Sequence, residues 1–306
     1  MTPEVGAVIV NYNGGVELRR ALESIASEFA GGPWEAVVVD NASSDGSPAT
    51  VAEFAPFARL VCNQENVGFA RGVNQGLAHT STPLVLIMNP DCRLVPNAIA
   101  ALRRELLRRD DCAIVGPRIL DPDGSVQGSA RGDPDMLTGL FGRTSLLRRV
   151  LPDLNVSKRN VITDEATRQG KSSVRVDWLS GACMLARREA LDKVHGFDER
   201  YFLYWEDADL CRRLRALKYH VRYVPEATAF HRVGHSSRRL RASAIRAFHQ
   251  SAYLYYSTHV APGGNQHQFG RRVRRRVKRS LARVILGVRC WLRLREVKGP
   301  TSSVEG

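Results

Sequence analysis

The first half of the chain alternates short apolar runs with helical patterns, and this rhythm constrains the fold more than any other feature. The runs at residues 6–11, 36–40 and 84–88 are rich in valine, isoleucine and leucine and carry no charge before their last position. Continuous apolar strands are typical of parallel sheets covered on both faces. Helical patterns at residues 17–29 and 69–79 separate them. The sequence therefore predicts an α/β fold with a mostly parallel central sheet flanked by helices.

Polar side chains follow three of these runs. Asn11 and Asn13 come after the first run, Asp40 ends the second, and Asp91 follows the third. Ligands of open parallel sheets bind at the carboxyl ends of the strands. Any one of these residues could instead cap a helix or close an Asx turn. Three strand ends with such residues favour a nucleotide site.

Asp91 follows Pro90, which stiffens the turn after the strand. A carboxylate held in this way suits a hard divalent cation that bridges a diphosphate, although the same position also fits a helix N-cap. His231 and His235 lie four residues apart, after a strand predicted at residues 219–224. A lone histidine is usually a packed or surface residue, but His231 could complete a metal site with Asp91 if the fold brings the two together.

A group of three carboxylates, Glu206, Asp207 and Asp209, lies directly after Trp205. Acids at a helix N-terminus can simply complement the helix dipole. Their aromatic neighbours favour a partly desolvated pocket, where a carboxylate has a raised pKa and acts as a general base. We expect Asp209 to pair with an arginine one turn later.

Residues 66–71 combine a turn glycine, Gly68, with the start of a helix that carries Arg71. Backbone amides at a helix start and one arginine are an ordinary means of holding phosphate. Residues 121–176 are rich in Gly, Pro, Asp, Ser and Arg and predict a long, partly ordered excursion, the type of segment that carries substrate choice. Residues 48–55 predict a helix.

Seven motifs in order resemble family-2 glycosyltransferases of the GT-A (Rossmann-like) fold, most closely the rhamnosyltransferase-like branch of bacterial cell-wall and polysaccharide synthesis. The motifs are VIVNYN (8–13), VVDNASSDGS (38–47), NVGFARGVNQG (66–76), NPD (89–91), SGACM (180–184), GFDERYF (196–202) and WEDADL (205–210). Their fixed order makes the resemblance specific, and it covers roughly residues 5–240.

The resemblance implies a role for each matching position. The residues that would contact a nucleotide-sugar are Asn11, Tyr12, Asn13, Asp40, Asn66, Gly68, Arg71, Asn89 and Asp91. Asp91 would be the surviving acid of the family's Asp-x-Asp metal motif, in which Asn89 replaces the first Asp. Asp91 and His231, with His235 as the substitute, would bind Mg²⁺ or Mn²⁺. Asp207 would be the catalytic base, with Glu206 beside it.

The implied reaction is inverting transfer of a sugar, L-rhamnose from dTDP-rhamnose by preference, to a hydroxyl of a polyprenyl-diphosphate-linked or polysaccharide acceptor. UDP-galactofuranose, UDP-glucose and UDP-N-acetylglucosamine stay open as donors. Asn89 leaves open a second class, a nucleotide-sugar-binding scaffold without activity. The implied division is a GT-A domain at residues 1–240, with a nucleotide-sugar-binding half (1–95) and an acceptor and catalytic half (96–240), followed by a helical basic extension at 241–306.

The net charge of +14 is concentrated near the C-terminus. Residues 271–298 hold twelve Lys and Arg and one Glu, a net +11, so the rest of the chain carries only +3. Residues 271–295 also carry an apolar stripe at helical spacing, which favours a basic amphipathic helix on an anionic membrane. A helix packed on the domain is the alternative. A nucleic-acid arm is the least favoured, and no nucleic-acid partner is expected.

The sequence predicts a cytoplasmic protein bound peripherally to the inner face of the cell membrane. Its N-terminus lacks the basic region of a signal peptide, and no apolar run approaches the length of a membrane span. The six cysteines contain no C-x-x-C pair, so neither a zinc site nor a disulfide framework is expected.

Overall fold

A computed structural model describes residues 3–29, 32–133, 172–232, 241–261 and 269–297, with the backbone alone at residue 241 and at residues 269–275. The described chain forms two compact units. The first contains residues 3–29, 32–133, 172–202 and 206–232; the second contains residues 203–205, 241–261 and 269–297. All six cysteines are free thiols.

The first unit is built on a nine-stranded sheet with a two-stranded sheet beside it. The strands are β1 (Val5–Asn11), β2 (Glu35–Asp40), β3 (Ala58–Cys62), β4 (Leu84–Met88), β5 (Cys92–Leu94), β6 (Cys112–Leu120), β7 (Ala130–Arg131), β8 (Val174–Val176), β9 (Trp178–Leu179), β10 (Cys183–Arg187) and β11 (His220–His231). The large sheet runs in the order β3-β2-β1-β4-β10-β6-β11-β5, and β8 also pairs with β11. β7 and β9 form the small sheet.

Strands β1 to β4 pair in parallel, as the sequence predicts. β10 then enters antiparallel between β4 and β6, and β11 returns parallel to β6. Because β1, β2 and β4 point the same way, their carboxyl ends form one edge of the sheet. Asn11 and Asp40 are register neighbours on that edge.

Helices of the first unit pack on its sheet: α1 (Val16–Glu28), α2 (Phe69–Ala78), α3 (Ala98–Leu107), α4 (Arg188–Lys193) and α5 (Glu206–Ala216). The described helices of the second unit are α6 (Arg241–Tyr255) and α7 (Phe269–Val297). The apolar face predicted for α1 is confirmed, since Leu18, Leu22 and Ile25 are fully buried in the core. The predicted helix at residues 48–55 is instead a 3-10 helix, Ser47–Phe54.

The strand predicted at residues 219–224 is longer than expected and runs to His231. Pro225 and Glu226 interrupt its apolar pattern, and the register with β6 shifts between Val224 and Thr228. A proline inside a strand is accommodated at such an irregularity, and the strand continues beyond it. This extension places His231 in the part of β11 that pairs antiparallel with β5.

The second unit is helical. α6 continues as one π-helical turn, Tyr256–Val260, and α7 packs against α6. Ala252 and Tyr256 form its small core with Ala282 and Leu286 of α7. Trp205 also belongs to this unit and packs at tilted ring angles against Phe248 and Tyr255, with ring centroids 5.9 and 5.2 Å away.

Candidate active site

Asn11 lies at the end of β1, but its side chain does not face outward. It is fully buried, and its Nδ2 donates hydrogen bonds to Asp40 Oδ1 (2.7 Å) and Ser47 Oγ (2.9 Å). The contact of Asn11 with the nucleotide stays a prediction, since these hydrogen bonds give its side chain a structural role. Asn11 holds the loop after β2 against the end of β1.

Asp40 is 4% exposed and accepts hydrogen bonds from Ser43 N (2.9 Å) and Ser43 Oγ (2.6 Å), which fix the loop after β2. The same Ser43 Oγ accepts a hydrogen bond from Asn13 N (2.8 Å), and Asn13 Oδ1 accepts one from Ser44 N (2.8 Å). Tyr12, which precedes Asn13 in the chain, is half-buried. The loops after β1 and β2 therefore form one hydrogen-bonded surface.

A second network organises residues 66–68. Asn66 Oδ1 accepts a hydrogen bond from Gly68 N (2.9 Å), and Asn41 Nδ2 donates to both Asn66 Oδ1 (3.2 Å) and Gly68 O (3.1 Å). Asn41 is 2% exposed. Asn41 follows Asp40 at the same strand end but was not among the residues predicted to form the site. Asn41 joins the β2 loop to the start of α2.

Gly68 precedes α2 with φ +87°, a conformation that favours glycine. A Cβ at this position would lie 2.4 Å from the Phe202 carbonyl oxygen, which accepts a hydrogen bond from Phe69 N. This close approach brings the GFDERYF motif against the start of α2. Arg71, one turn into the helix, is 57% exposed, and its Nε lies 3.9 Å from Glu199 Oε2.

Asp91 and His231, which the sequence analysis paired without evidence of contact, do meet. Asp91 Oδ1 lies 3.2 Å from His231 Nε2, and the two side chains are 11% and 13% exposed. Register pairing of His231 with Cys92 and a hydrogen bond from Arg232 N to Asp91 O (3.0 Å) hold the two chain segments together. The N-cap alternative for Asp91 is wrong, because α3 begins later, with Asn97 as its N-cap.

The Asp91–His231 pair fits a divalent cation that arrives with a diphosphate. It offers a carboxylate oxygen and an imidazole nitrogen, and Asn89 Nδ2 lies 3.4 Å from His231 Nε2, so the Asn89 side chain lies beside the pair. Mg²⁺ and Mn²⁺ keep positions for phosphate oxygens and water, so two or three protein ligands suffice. The described residues contain no group of three or more His, Cys, Asp or Glu able to hold a metal. His235 lies outside the described residues.

Asp207 reaches the same edge of the sheet through the chain before β10. Gly181 N donates a hydrogen bond to Asp207 Oδ2 (2.9 Å), and the neighbouring Ala182 O accepts one from Asn89 N (2.9 Å). Cys183 then pairs in register with Met88 of β4. The Gly181–Ala182 segment therefore links the candidate base to the Asn-Pro-Asp turn.

Glu206 and Asp207 occupy the first turn of α5, so the dipole alternative also describes them. Burial raises the pKa of both carboxyls, and that of Glu206 rises well above its usual range, with the charge of Asp207 adding to the effect. Hydrogen bonds from Gly181 N and Ala208 N and the charge of Arg131 favour ionised Asp207. Glu206 Oε2 is buried without a hydrogen-bond partner among the described residues. Asp207 therefore ionises first.

Asp209 has the structural role predicted for it. It is 1% exposed, and Arg213 Nε donates to its Oδ2 (2.7 Å) one turn later. Arg213 also donates to the carbonyl oxygens of Val194 and Gly196. Asp209 thereby fixes α5 to the segment that precedes the GFDERYF motif.

Comparison with known proteins identifies the family. The family model "Glycosyl transferase family 2" matches residues 7–195, and "Glycosyl transferase family group 2" matches residues 154–287. The chain is 36% identical over 269 residues to the N-acetylglucosaminyl-diphospho-decaprenol L-rhamnosyltransferase of Mycobacterium tuberculosis, covering 83% of this chain and 84% of that protein. The chain belongs to glycosyltransferase family 2.

Other relatives of this glycosyltransferase agree with that assignment. The rhamnosyltransferase WbbL of Escherichia coli is 39% identical over 84 residues, which cover 28% of this chain and 32% of that protein. A solved mannosyltransferase of Pyrobaculum calidifontis, in complex with GDP-Man and Mn²⁺, has a TM-score of 0.58 at 18% identity, covering 98% of this chain and 77% of that chain. The glycosyltransferase thus has the GT-A-like fold and lies in the rhamnosyltransferase-like branch.

The helices of this glycosyltransferase bear on its predicted association with a membrane. Within the described ranges, none of them combines the length and apolar character needed to cross a bilayer. The helix α7 carries exposed apolar side chains.

Proposed function

We propose that this glycosyltransferase transfers L-rhamnose from dTDP-rhamnose to a hydroxyl of a polyprenyl-diphosphate-linked sugar in cell-wall synthesis, with inversion at the anomeric carbon. The observation that carries the proposal is the link from Asp207 through Gly181 and Ala182 to Asn89, which brings a candidate base to the strand ends where a nucleotide-sugar would bind. The relative in Mycobacterium tuberculosis, named for rhamnosyl transfer to such a lipid, supports the choice of donor and acceptor.

In the proposed reaction Asp207 takes a proton from the acceptor hydroxyl, whose oxygen forms a bond to the anomeric carbon as the bond to the donor's diphosphate oxygen breaks. Nucleoside diphosphate leaves on the opposite face, so one displacement inverts the centre. Asp207 is suited to this role because its raised pKa increases its basicity, while its backbone donors keep it able to ionise. Neutral Glu206 beside it avoids a second buried negative charge.

The departing nucleoside diphosphate gains negative charge in the proposed reaction, and positive charge near it stabilises its departure. A divalent cation held by Asp91 and His231 would supply charge neutralisation to the departing diphosphate. Asn89 could add an amide oxygen, which is a weaker ligand than the carboxylate it replaces. Arg71 and the first backbone amides of α2 would contact the donor's phosphates, and Asp40, Asn13 and Asn66 its nucleoside.

A donor screen tests the proposal. Release of nucleoside diphosphate would be measured with dTDP-rhamnose, UDP-galactofuranose, UDP-glucose, UDP-N-acetylglucosamine and GDP-mannose, each with a polyprenyl-diphosphate-linked N-acetylglucosamine acceptor and Mg²⁺ or Mn²⁺. We expect acceptor-dependent turnover with dTDP-rhamnose at least tenfold above the others. Turnover with a different donor alone would overturn the choice of sugar, and no turnover with any of them would overturn the choice of acceptor.

The acceptor's lipid places the reaction at a membrane surface, and α7 offers a face that fits one. Six apolar side chains at helical spacing, 41–62% exposed, form what we term the apolar stripe: Val277, Leu281, Val284, Val288, Trp291 and Leu292. The face of α7 that packs on α6 is a different one, centred on Ala282 and Leu286. The packed-helix alternative of the sequence analysis therefore accounts for that second face only.

Basic residues border the apolar stripe. Arg276, Arg283 and Arg295 are exposed, and Arg295 lies over the Trp291 ring at 3.8 Å from its centroid. Apolar side chains flanked by arginines are the pattern of helices that lie in the interface of an anionic bilayer. We therefore assign the apolar stripe to an anionic membrane surface.

A further inference from the structure

We propose that Gln127 sets the tautomer of His231, and so leaves the lone pair of the neutral ring on Nε2, the nitrogen on the side of Asp91. The proposal rests on the proposed metal site, because an imidazole binds a metal ion through a nitrogen that carries a lone pair. Gln127 is a positioning residue in this account. It touches neither donor nor acceptor and acts only through His231.

The orientation of the Gln127 amide follows from its partners. Gln127 Nε2 lies 2.8 Å from Asp121 Oδ1 and 2.8 Å from the His231 carbonyl oxygen. A carboxylate oxygen and a backbone carbonyl oxygen only accept hydrogen bonds, so the amide NH₂ group must point at both. The amide oxygen of Gln127 is thereby turned to the other side.

That oxygen determines the proton on the imidazole. Gln127 Oε1 lies 3.0 Å from His231 Nδ1. Because an amide oxygen cannot donate, Nδ1 must carry the hydrogen, and the lone pair of the neutral ring lies on Nε2. Nε2 is the nitrogen 3.2 Å from Asp91 Oδ1. Two groups face Nε2 with opposite demands, because the Asp91 carboxylate oxygen can only accept a hydrogen bond and Asn89 Nδ2, at 3.4 Å, can only donate one. The contact with Gln127 therefore decides where the hydrogen of the neutral ring lies.

The backbone around Gln127 is fixed well enough to hold this geometry. Gln127 N donates to Ile119 O (2.8 Å), and the preceding turn is closed by a hydrogen bond from Asp121 N to Ser125 O (2.8 Å). The anchor Asp121 belongs to that turn. Partners that orient a metal-binding histidine through its second nitrogen commonly contribute 10- to 100-fold to metal affinity, so this chain of contacts has a measurable consequence.

The test combines a tautomer measurement with metal binding. Nitrogen-15 NMR of His231 in the metal-free protein, at about pH 8.5 where an ordinary imidazole is neutral, reports which nitrogen carries the hydrogen. The signal is assigned by its loss in His231→Gln. Binding of Mn²⁺, with dTDP present, is followed by electron paramagnetic resonance.

In the wild type we expect the hydrogen on Nδ1. Gln127→Met, similar in size but without the amide, should give a mixture of tautomers and weaken Mn²⁺ binding by roughly 10- to 100-fold. The control is Val126→Ala, the neighbouring exposed side chain, which should bind Mn²⁺ like the wild type.

Two results overturn the inference: a hydrogen on Nε2 in the wild type, or unchanged tautomer and Mn²⁺ binding in Gln127→Met. Failure of the proposed metal site looks different. If the wild type binds no Mn²⁺, that site is wrong, while the tautomer measurement still decides the role of Gln127.

Discussion

At the scale of single residues, the two adjacent carboxyls of α5 have different environments and therefore different roles. Asp207 accepts two backbone hydrogen bonds, from Gly181 and Ala208, and lies within the field of Arg131. Glu206 is 5% exposed, and its Oε2 has no partner in the described part of the chain. Carboxyls that share a site are pushed apart in pKa, so one is available as a base while the other stays protonated.

This division predicts a pH dependence of stability. The folded state keeps a proton on Glu206 that the unfolded chain releases above pH about 4.3, so wild-type stability should fall as pH rises through the range between the unfolded and folded pKa values. The slope is at most about 1.4 kcal/mol per pH unit. Glu206→Gln has no such proton to lose, and its stability should decline less between pH 5 and pH 7.

Urea unfolding at several pH values measures this difference. The exposed Glu65 supplies the control, since Glu65→Gln should follow the wild-type pH dependence. An unfolding free energy of Glu206→Gln that falls with pH as steeply as the wild type's would contradict a protonated, buried Glu206.

Much of the candidate site could be predicted from the sequence because its residues follow strand ends or stand in ordered motifs. Asp91 and His231 were both recognised this way, although only the fold establishes their contact. Gln127 could not be recognised, because its role depends on contacts with Asp121 and His231, the latter 104 positions away. The burial of Asn11 also depends on tertiary packing, which strand-end logic does not address.

At the scale of elements, the parallel half of the sheet was predictable from its uninterrupted apolar runs. Beyond β4 the prediction was less complete, since the strand predicted at residues 219–224 covers only the first part of β11. β6 contains Gly116 and Pro117, and β11 contains Pro225, so neither shows a continuous strand pattern. β6 pairs with β10 and β11, and β11 also pairs with β5 and β8, so these strands form despite those residues. Pairing between strands that are far apart in the sequence therefore positions His231 in the candidate site.

The helix α7 carries the element-scale prediction. Replacing Val284 and Val288 together by Asp places two charges in the apolar stripe and should reduce flotation with vesicles of anionic phospholipid by at least tenfold. The expected cause is loss of apolar burial together with repulsion from the anionic surface. The stripe is solvent-exposed, so the folded protein should keep its circular dichroism spectrum.

The matched control is Leu217→Asp, at an apolar side chain of the first unit that is 50% exposed, as Val288 is 51%. This variant should float like the wild type. Equal binding by the Val284→Asp, Val288→Asp double variant and the wild type would rule out the apolar stripe as the membrane contact.

At the scale of the whole molecule, the charge distribution separates two tasks. A nearly neutral chain before residue 271 forms the transferase fold, and the strongly basic segment after it forms a helix with an apolar stripe. The total of +14 by itself would suggest nucleic acid. Its concentration on one helix of an enzyme in the rhamnosyltransferase-like branch fits an acceptor embedded in an anionic membrane better.

The central claim is that Asp207 is the base of an inverting sugar transfer, and Asp207→Asn tests it most directly. The amide oxygen can still accept the hydrogen bond from Gly181 N, but it cannot take a proton from the acceptor. We expect the rate of rhamnosyl transfer to fall by roughly 10²- to 10⁴-fold while the Kd for dTDP stays near that of the wild type. Transfer at a rate close to that of the wild type would contradict the account.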